Sequence, residues 1–160
     1  MKSKVFFIFI SVFIVLSGIT SCNKDHINPN IPKVNIYYNI DPNSTVFLDL
    51  NTVGGWLYLD EMPGIVVPYP SRGIIVYREE IDKFRAYERQ PPNNPYECCE
   101  GDNYTGCSKL VVGPNYPFAK DTCNGNMYLL QDGTLFSGVG QYSLIEYRTY
   151  YNGSTLTISN

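Results

Sequence analysis

The chain contains one histidine, His26, and one tryptophan, Trp56, in 160 residues. With its only histidine near the N-terminus, the rest of the sequence holds no Ser-His or Cys-His pair for nucleophilic catalysis. Basic runs are lacking too: 12 Lys and Arg stand against 15 Asp and Glu. That balance gives no electrostatic footprint for nucleic acid and no polybasic patch for anionic lipid. No Gly-rich loop opens a helix, so nucleotide binding has no support. No apolar run reaches the ~20 residues needed to span a bilayer as a helix. Beyond the N-terminus there is no long helical period, internal repeat or low-complexity tract. No residue set forms a plausible active site, and the chain is expected not to be an enzyme.

What is present begins with a signal. Lys2 and Lys4 form a positive n-region, and Val5 to Leu16 is an apolar run of 12 residues. This length suits a signal-peptide h-region. Ser17-Gly18 follows, then Ile19-Thr20-Ser21-Cys22. An aliphatic residue, two small ones and a cysteine resemble a lipobox, which implies a signal peptide at 1–21 and acylation of Cys22. Cleavage leaves 139 residues with 10 basic and 15 acidic side chains, a net charge of −5. Membrane attachment then rests on the acyl chains of Cys22. Asn23 in place of Asp lacks an inner-membrane retention cue, and Lys24-Asp25 resembles a charged surface-export signal. The expected location is the cell envelope, at the outer membrane. Residues 22–33, polar and with two prolines, read as a lipidated Cys and flexible tether.

From Val34 to Asn160 the sequence reads as one all-β domain, rich in Tyr, Pro, Gly and β-branched residues. Val34, Ile36, Tyr38 and Ile40 alternate with polar neighbours, and Val46 to Leu50 repeats the pattern. Gly54-Gly55 precedes Trp56 to Leu59. The continuous run Gly73 to Tyr77 fits a strand buried on both faces, and Phe84 to Glu88 alternates again. Further strands are expected around Leu110–Val112, Pro117–Ala119, Met127–Leu130, Ile145–Tyr151 and Thr155–Ser159. Asn152-Gly153 between the last two signals a type I′ hairpin.

The order of these pieces resembles the Rieske-like lipoproteins of Bacteroidota. The resemblance is carried by Ile31-Pro32, Gly54-Gly55, Arg72-Gly73-Ile74-Ile75-Val76-Tyr77 and Phe84-Arg85-Ala86-Tyr87-Glu88-Arg89. It continues through Gln131-Asp132-Gly133-Thr134, Tyr142-Ser143-Leu144 and the closing hairpin from Tyr147-Arg148 to Asn160. It implies a Rieske-type antiparallel β-sandwich with a small inserted former cluster-binding subdomain at about 87–130. It also implies two loops that would each supply two ligands to a 2Fe–2S cluster. A Rieske cluster takes two Cys and two His. The matching positions here are Pro91, Asn93, Cys123 and Asn126. Three of the four are non-ligating, and His26 sits in the tether, so no cofactor is expected.

Four cysteines besides Cys22 remain: Cys98, Cys99, Cys107 and Cys123. Their spacing matches neither paired zinc knuckles nor the plant-type ferredoxin pattern. An even number of cysteines in an exported chain points to disulfides. Adjacent Cys98 and Cys99 are too close at Cα to bridge each other readily. Two frameworks stay open: Cys98–Cys107 with Cys99–Cys123, or Cys98–Cys123 with Cys99–Cys107.

The pairs Asp60-Glu61, Glu79-Glu80 and Glu97/Glu100 read as solvated charges. Trp56, Tyr58, Tyr69 and Tyr96 are candidates for a surface that contacts sugars or a protein partner. The expected function is a lipid-anchored, cluster-free structural or interaction module with an envelope protein partner. The alternatives are electron transfer through a non-standard Cys-ligated iron–sulfur cluster, or binding of a glycan or small ligand.

Overall fold

A computed structural model describes residues 27–100 and 106–160. The signal segment, Cys22 and His26 lie outside the described residues. The described chain is antiparallel β throughout, with three short 3₁₀ turns. Its strands are β1 (Tyr37–Ile40), β2 (Trp56–Tyr58), β3 (Ile74–Glu80), β4 (Lys83–Glu88) and β5 (Leu110–Val111). The remainder are β6 (Phe118–Asp121), β7 (Met127–Leu129), β8 (Leu135–Ser137), β9 (Glu146–Tyr151) and β10 (Leu156–Ser159). Six form one sheet in the order β1-β10-β9-β4-β3-β2, and four form a second in the order β5-β6-β7-β8. No helix among the described residues is long and apolar enough to cross a membrane.

β3 explains how the two sheets share the molecule. Its apolar run is buried on both faces, as its lack of alternation implies. Ile74 and Val76 enter a core with Leu50, Leu57, Leu59, Phe84 and Ile158, around which the larger sheet curls. Ile75 and Tyr77 project the other way, with Tyr87 from β4, onto Leu110 and Tyr128 of the second sheet and the adjoining Val112 and Leu130. Burying each such side chain contributes roughly 1.5–3 kcal/mol. The second sheet is an insertion in the plain topological sense. It leaves after β4 and returns to β9, and those two strands pair through Ala86–Tyr147 and Tyr87–Glu146. The inserted unit extends past residue 130, since β8 ends at Ser137.

Local expectations are corrected in three places. Val46 to Leu50 is not a strand but part of a 3₁₀ segment, Thr45–Leu50. Asn43 and Ser44 fold back on Asp41 through hydrogen bonds of 2.9 Å each, which starts i→i+3 bonding, and no strand among the described residues pairs with the segment. The Asn152-Gly153 hairpin forms, but with a four-residue loop rather than a type I′ turn, because Tyr151 pairs with Leu156. Only Gly153 takes positive φ, while the Asn152 side chain accepts from the N–H groups of Ser154 and Thr155. Finally, residues 27–33 are not all spacer. Ile31 and Asn28 are buried, and the Asn28 amide donates to the Pro92 carbonyl at 2.9 Å.

Candidate functional site

The positions singled out as former cluster ligands converge, with one exception. Asn93, in the loop after β4, donates from Nδ2 to the Tyr128 hydroxyl and the Tyr142 carbonyl, each at 2.9 Å. Its Oδ1 accepts from the N–H groups of Gln141 and Tyr142. Asn126, just before β7, mirrors this arrangement. Its Oδ1 accepts from Val139 N–H at 2.8 Å, and its Nδ2 donates to the Val139 carbonyl at 2.9 Å and to Tyr128 at 3.4 Å. Both amides are almost fully buried. Gly138 and Gly140 are required opposite them: a Cβ would fall 2.0 Å from Asn126 Oδ1 and 2.4 Å from Asn93 Cγ, respectively. Pro91 is buried but has no part in this network.

Cys123 completes the corner through a disulfide to Cys98, and Cys99 is bridged to Cys107. The second of the two frameworks is therefore the one formed. These residues do not suit a Rieske-type 2Fe–2S cluster, which needs two thiolate and two imidazole donors. Two of the positions are amides saturated by hydrogen bonds, and the only sulfur is committed to another sulfur. What the corner does is fix the loop from Gly138 to Tyr142 against the second sheet. Burial raises the Tyr128 phenol pKa, with the Asn93 and Asn126 hydrogen bonds offsetting part of the shift.

Beside the Cys98–Cys123 bridge, Asp121 at the end of β6 is fully buried. Its Oδ1 accepts from Cys123 N–H at 2.9 Å, and Oδ2 has no hydrogen-bond partner among the described residues. Burial raises its carboxyl pKa, only partly offset by Cys123, Asn124 and the Arg72 charge.

A second polar centre was not legible as such. Arg89, 4% exposed, bonds through Nη1 to Asp60 at 2.8 Å and Glu61 at 2.9 Å. Lys109 reaches the same Asp60 oxygen at 3.0 Å. The Arg89 guanidinium also stacks 3.6 Å from the centroid of the Tyr58 ring, whose hydroxyl accepts from Val112 N–H at 2.7 Å. Asp60 is thus an enclosed ion-pair partner rather than a solvated charge. Burial acts to raise its pKa, but the hydrogen bonds and charges of Lys109 and Arg89 prevail and hold it below the usual range. Glu79 is likewise engaged, with Arg85 at 2.6 Å and Lys83 at 3.0 Å.

The aromatic candidates divide between two grooves. Trp56 and Tyr58 line one of about 710 Å³, together with Tyr116, Asp49, Thr52 and Glu61. Tyr69 and Tyr96 line another of about 600 Å³, with Arg72, Cys107 and Lys109. Tyr116 had no local signature, since it reaches β2 from a turn remote in sequence, and Asp49 had none because the 3₁₀ segment that carries it, Thr45–Leu50, reads as a strand by its alternation. No protein-family model, curated protein or solved structure matches the chain.

Proposed function

We propose that this chain is a lipid-anchored envelope protein with a Rieske-like β fold that has lost its cluster and works by binding rather than by electron transfer or turnover. Acylated Cys22 holds it to the outer membrane, and the domain serves as an interaction module. The observation that carries the reading is the chemical state of the four ligand positions. Pro91 offers no donor, Asn93 and Asn126 spend their amides on the Gly138–Tyr142 loop, and Cys123 is bridged to Cys98. In this reading, disulfides and amide bonds supply the rigidity that a cluster gives its relatives. Each bridge restricts the unfolded chain by a few kcal/mol.

Iron analysis and the visible spectrum of anaerobically purified protein test the cluster-free reading. The expected sample is colourless, iron-free and silent in electron paramagnetic resonance after reduction. Stoichiometric iron with charge-transfer absorption would restore the electron-transfer alternative. The anchor is tested separately by palmitate labelling: Cys22→Ala should abolish label and release a folded protein from membranes.

A further inference from the structure

The groove beside β2 offers chemistry of a different kind from the cross-linked corner. Trp56 and Tyr58 flank Leu57 on an edge strand, so both project from one face. Their rings lie 5.1 Å apart at 61°. Tyr116, in the turn before β6, is 46% exposed and forms a further aromatic wall. Asp49 and Thr52 are exposed at the rim. The volume of about 710 Å³ falls within the roughly 300–1,000 Å³ of small-ligand sites.

Charge complementarity narrows the ligand. Among the described residues, no lysine or arginine lines the groove, so an anionic ligand would meet Asp49 without a compensating cation. A cationic ligand has less to gain than the two lining carboxylates suggest, since of these Asp49 alone is left without a cation among the described residues. Arg89 already pairs with Glu61 and covers the Tyr58 ring, so one carboxylate and one aromatic face are committed to a cation. The complementary ligand is uncharged, with a flat apolar face for the aromatic rings and hydroxyls around its edge for Asp49 and Thr52.

A pyranose has these properties, and we propose that the groove binds a neutral oligosaccharide. One sugar ring lies with its C–H face on the Trp56 indole, and a hydroxyl donates to the Asp49 carboxylate. The proposal rests on the reading of the domain as a binding module. It uses residues apart from the former ligand positions, so iron content and sugar binding fail independently.

Trp56 is the sole tryptophan, which makes intrinsic fluorescence a direct reporter. The full-length chain, kept in a non-glycosidic detergent, would be titrated with neutral gluco-, manno- and xylo-oligosaccharides. Polygalacturonate oligomers and choline serve as the charged comparisons. The expected result is a saturable emission change with at least one neutral oligosaccharide and none with the charged probes. Asp49→Asn, a conservative change at an exposed position, should weaken binding by about tenfold, as for loss of a charge-assisted hydrogen bond. Tyr116→Ala should weaken it further, with near-ultraviolet circular dichroism checking its fold. The proposal is overturned by silence toward every neutral oligosaccharide at millimolar concentration. Unchanged affinity in Asp49→Asn, or preferential binding of a charged probe, overturns it equally.

Discussion

Asn93 donates a 2.9 Å hydrogen bond to the hydroxyl of Tyr128, a buried contact between residues 35 apart in sequence. The same asparagine holds the backbone of Gln141 and Tyr142, so one side chain joins the loop after β4, the second sheet and the return to β9. Asn93→Ala should destabilise the protein by about 2–4 kcal/mol, because several buried polar groups lose their partner at once. Hydrogen exchange localises the effect. The amides of Gln141 and Tyr142 should lose protection, while that of Val139, held by Asn126, keeps it.

The ion pairs around Arg89 make a pH-dependent contribution of known sign. Lys109 and Arg89 outweigh burial and lower the Asp60 pKa below its unfolded value. Its contribution is therefore full above the unfolded value of about 4 and is lost as pH falls through the folded one. Asp60→Asn should cost about 2–3 kcal/mol at neutral pH, since among the described residues the enclosed Arg89 keeps only Glu61 as an anionic partner. Urea unfolding at neutral and acid pH checks this: the difference from the native sequence should shrink as the solution is acidified.

Asp121 has the opposite sign. Burial, its largest influence, raises its pKa in the folded state, so above that value the ionised group opposes folding. Asp121→Asn keeps an oxygen for the Cys123 N–H and removes the buried charge. Its expected effect at neutral pH is a gain of about 1 kcal/mol. The gain should fade as pH drops through the folded pKa toward the unfolded one, where the native carboxyl is itself neutral. A melting-temperature series against pH distinguishes this from a uniform shift.

The two disulfides should differ in their contribution. Cys98–Cys123 spans 25 residues of sequence and Cys99–Cys107 spans 8. Loop-closure entropy assigns them about 3.5 and about 2.5 kcal/mol, respectively. Denaturation of the Cys98→Ala/Cys123→Ala and Cys99→Ala/Cys107→Ala double variants measures each. The long-range bridge should prove the more costly to lose.

Strand identity was legible wherever the sequence pattern coincided with a paired neighbour. The unbroken run from Ile74 to Tyr77 announced burial on both faces; Val34, Ile36 and Ile40 are buried in alternation, although the paired strand starts only at Tyr37. Val46 and Leu48 show the same pattern yet are exposed, because alternation does not supply a partner strand. β8 escaped notice: it has three residues, of which Phe136 and Ser137 are exposed. The cysteines leave two frameworks open because adjacent Cys98 and Cys99 are too close at Cα to bridge each other readily. Choosing between them required knowing that the turn after β6 carries Cys123 to Cys98. Asn93 and Asn126 could be found by position, but their roles depend on backbone groups that only folding brings near. The burial of Arg89 with Asp60 was hidden for the same reason.

The most direct test of a corner closed by covalent and amide bonds is thiol labelling of the denatured, unreduced protein, followed by mass-spectrometric mapping. None of Cys98, Cys99, Cys107 and Cys123 should take up label, and the linked peptides should pair Cys98 with Cys123 and Cys99 with Cys107. Four labelled thiols at these positions would contradict the closed corner and return the cysteines to the pool of ligands.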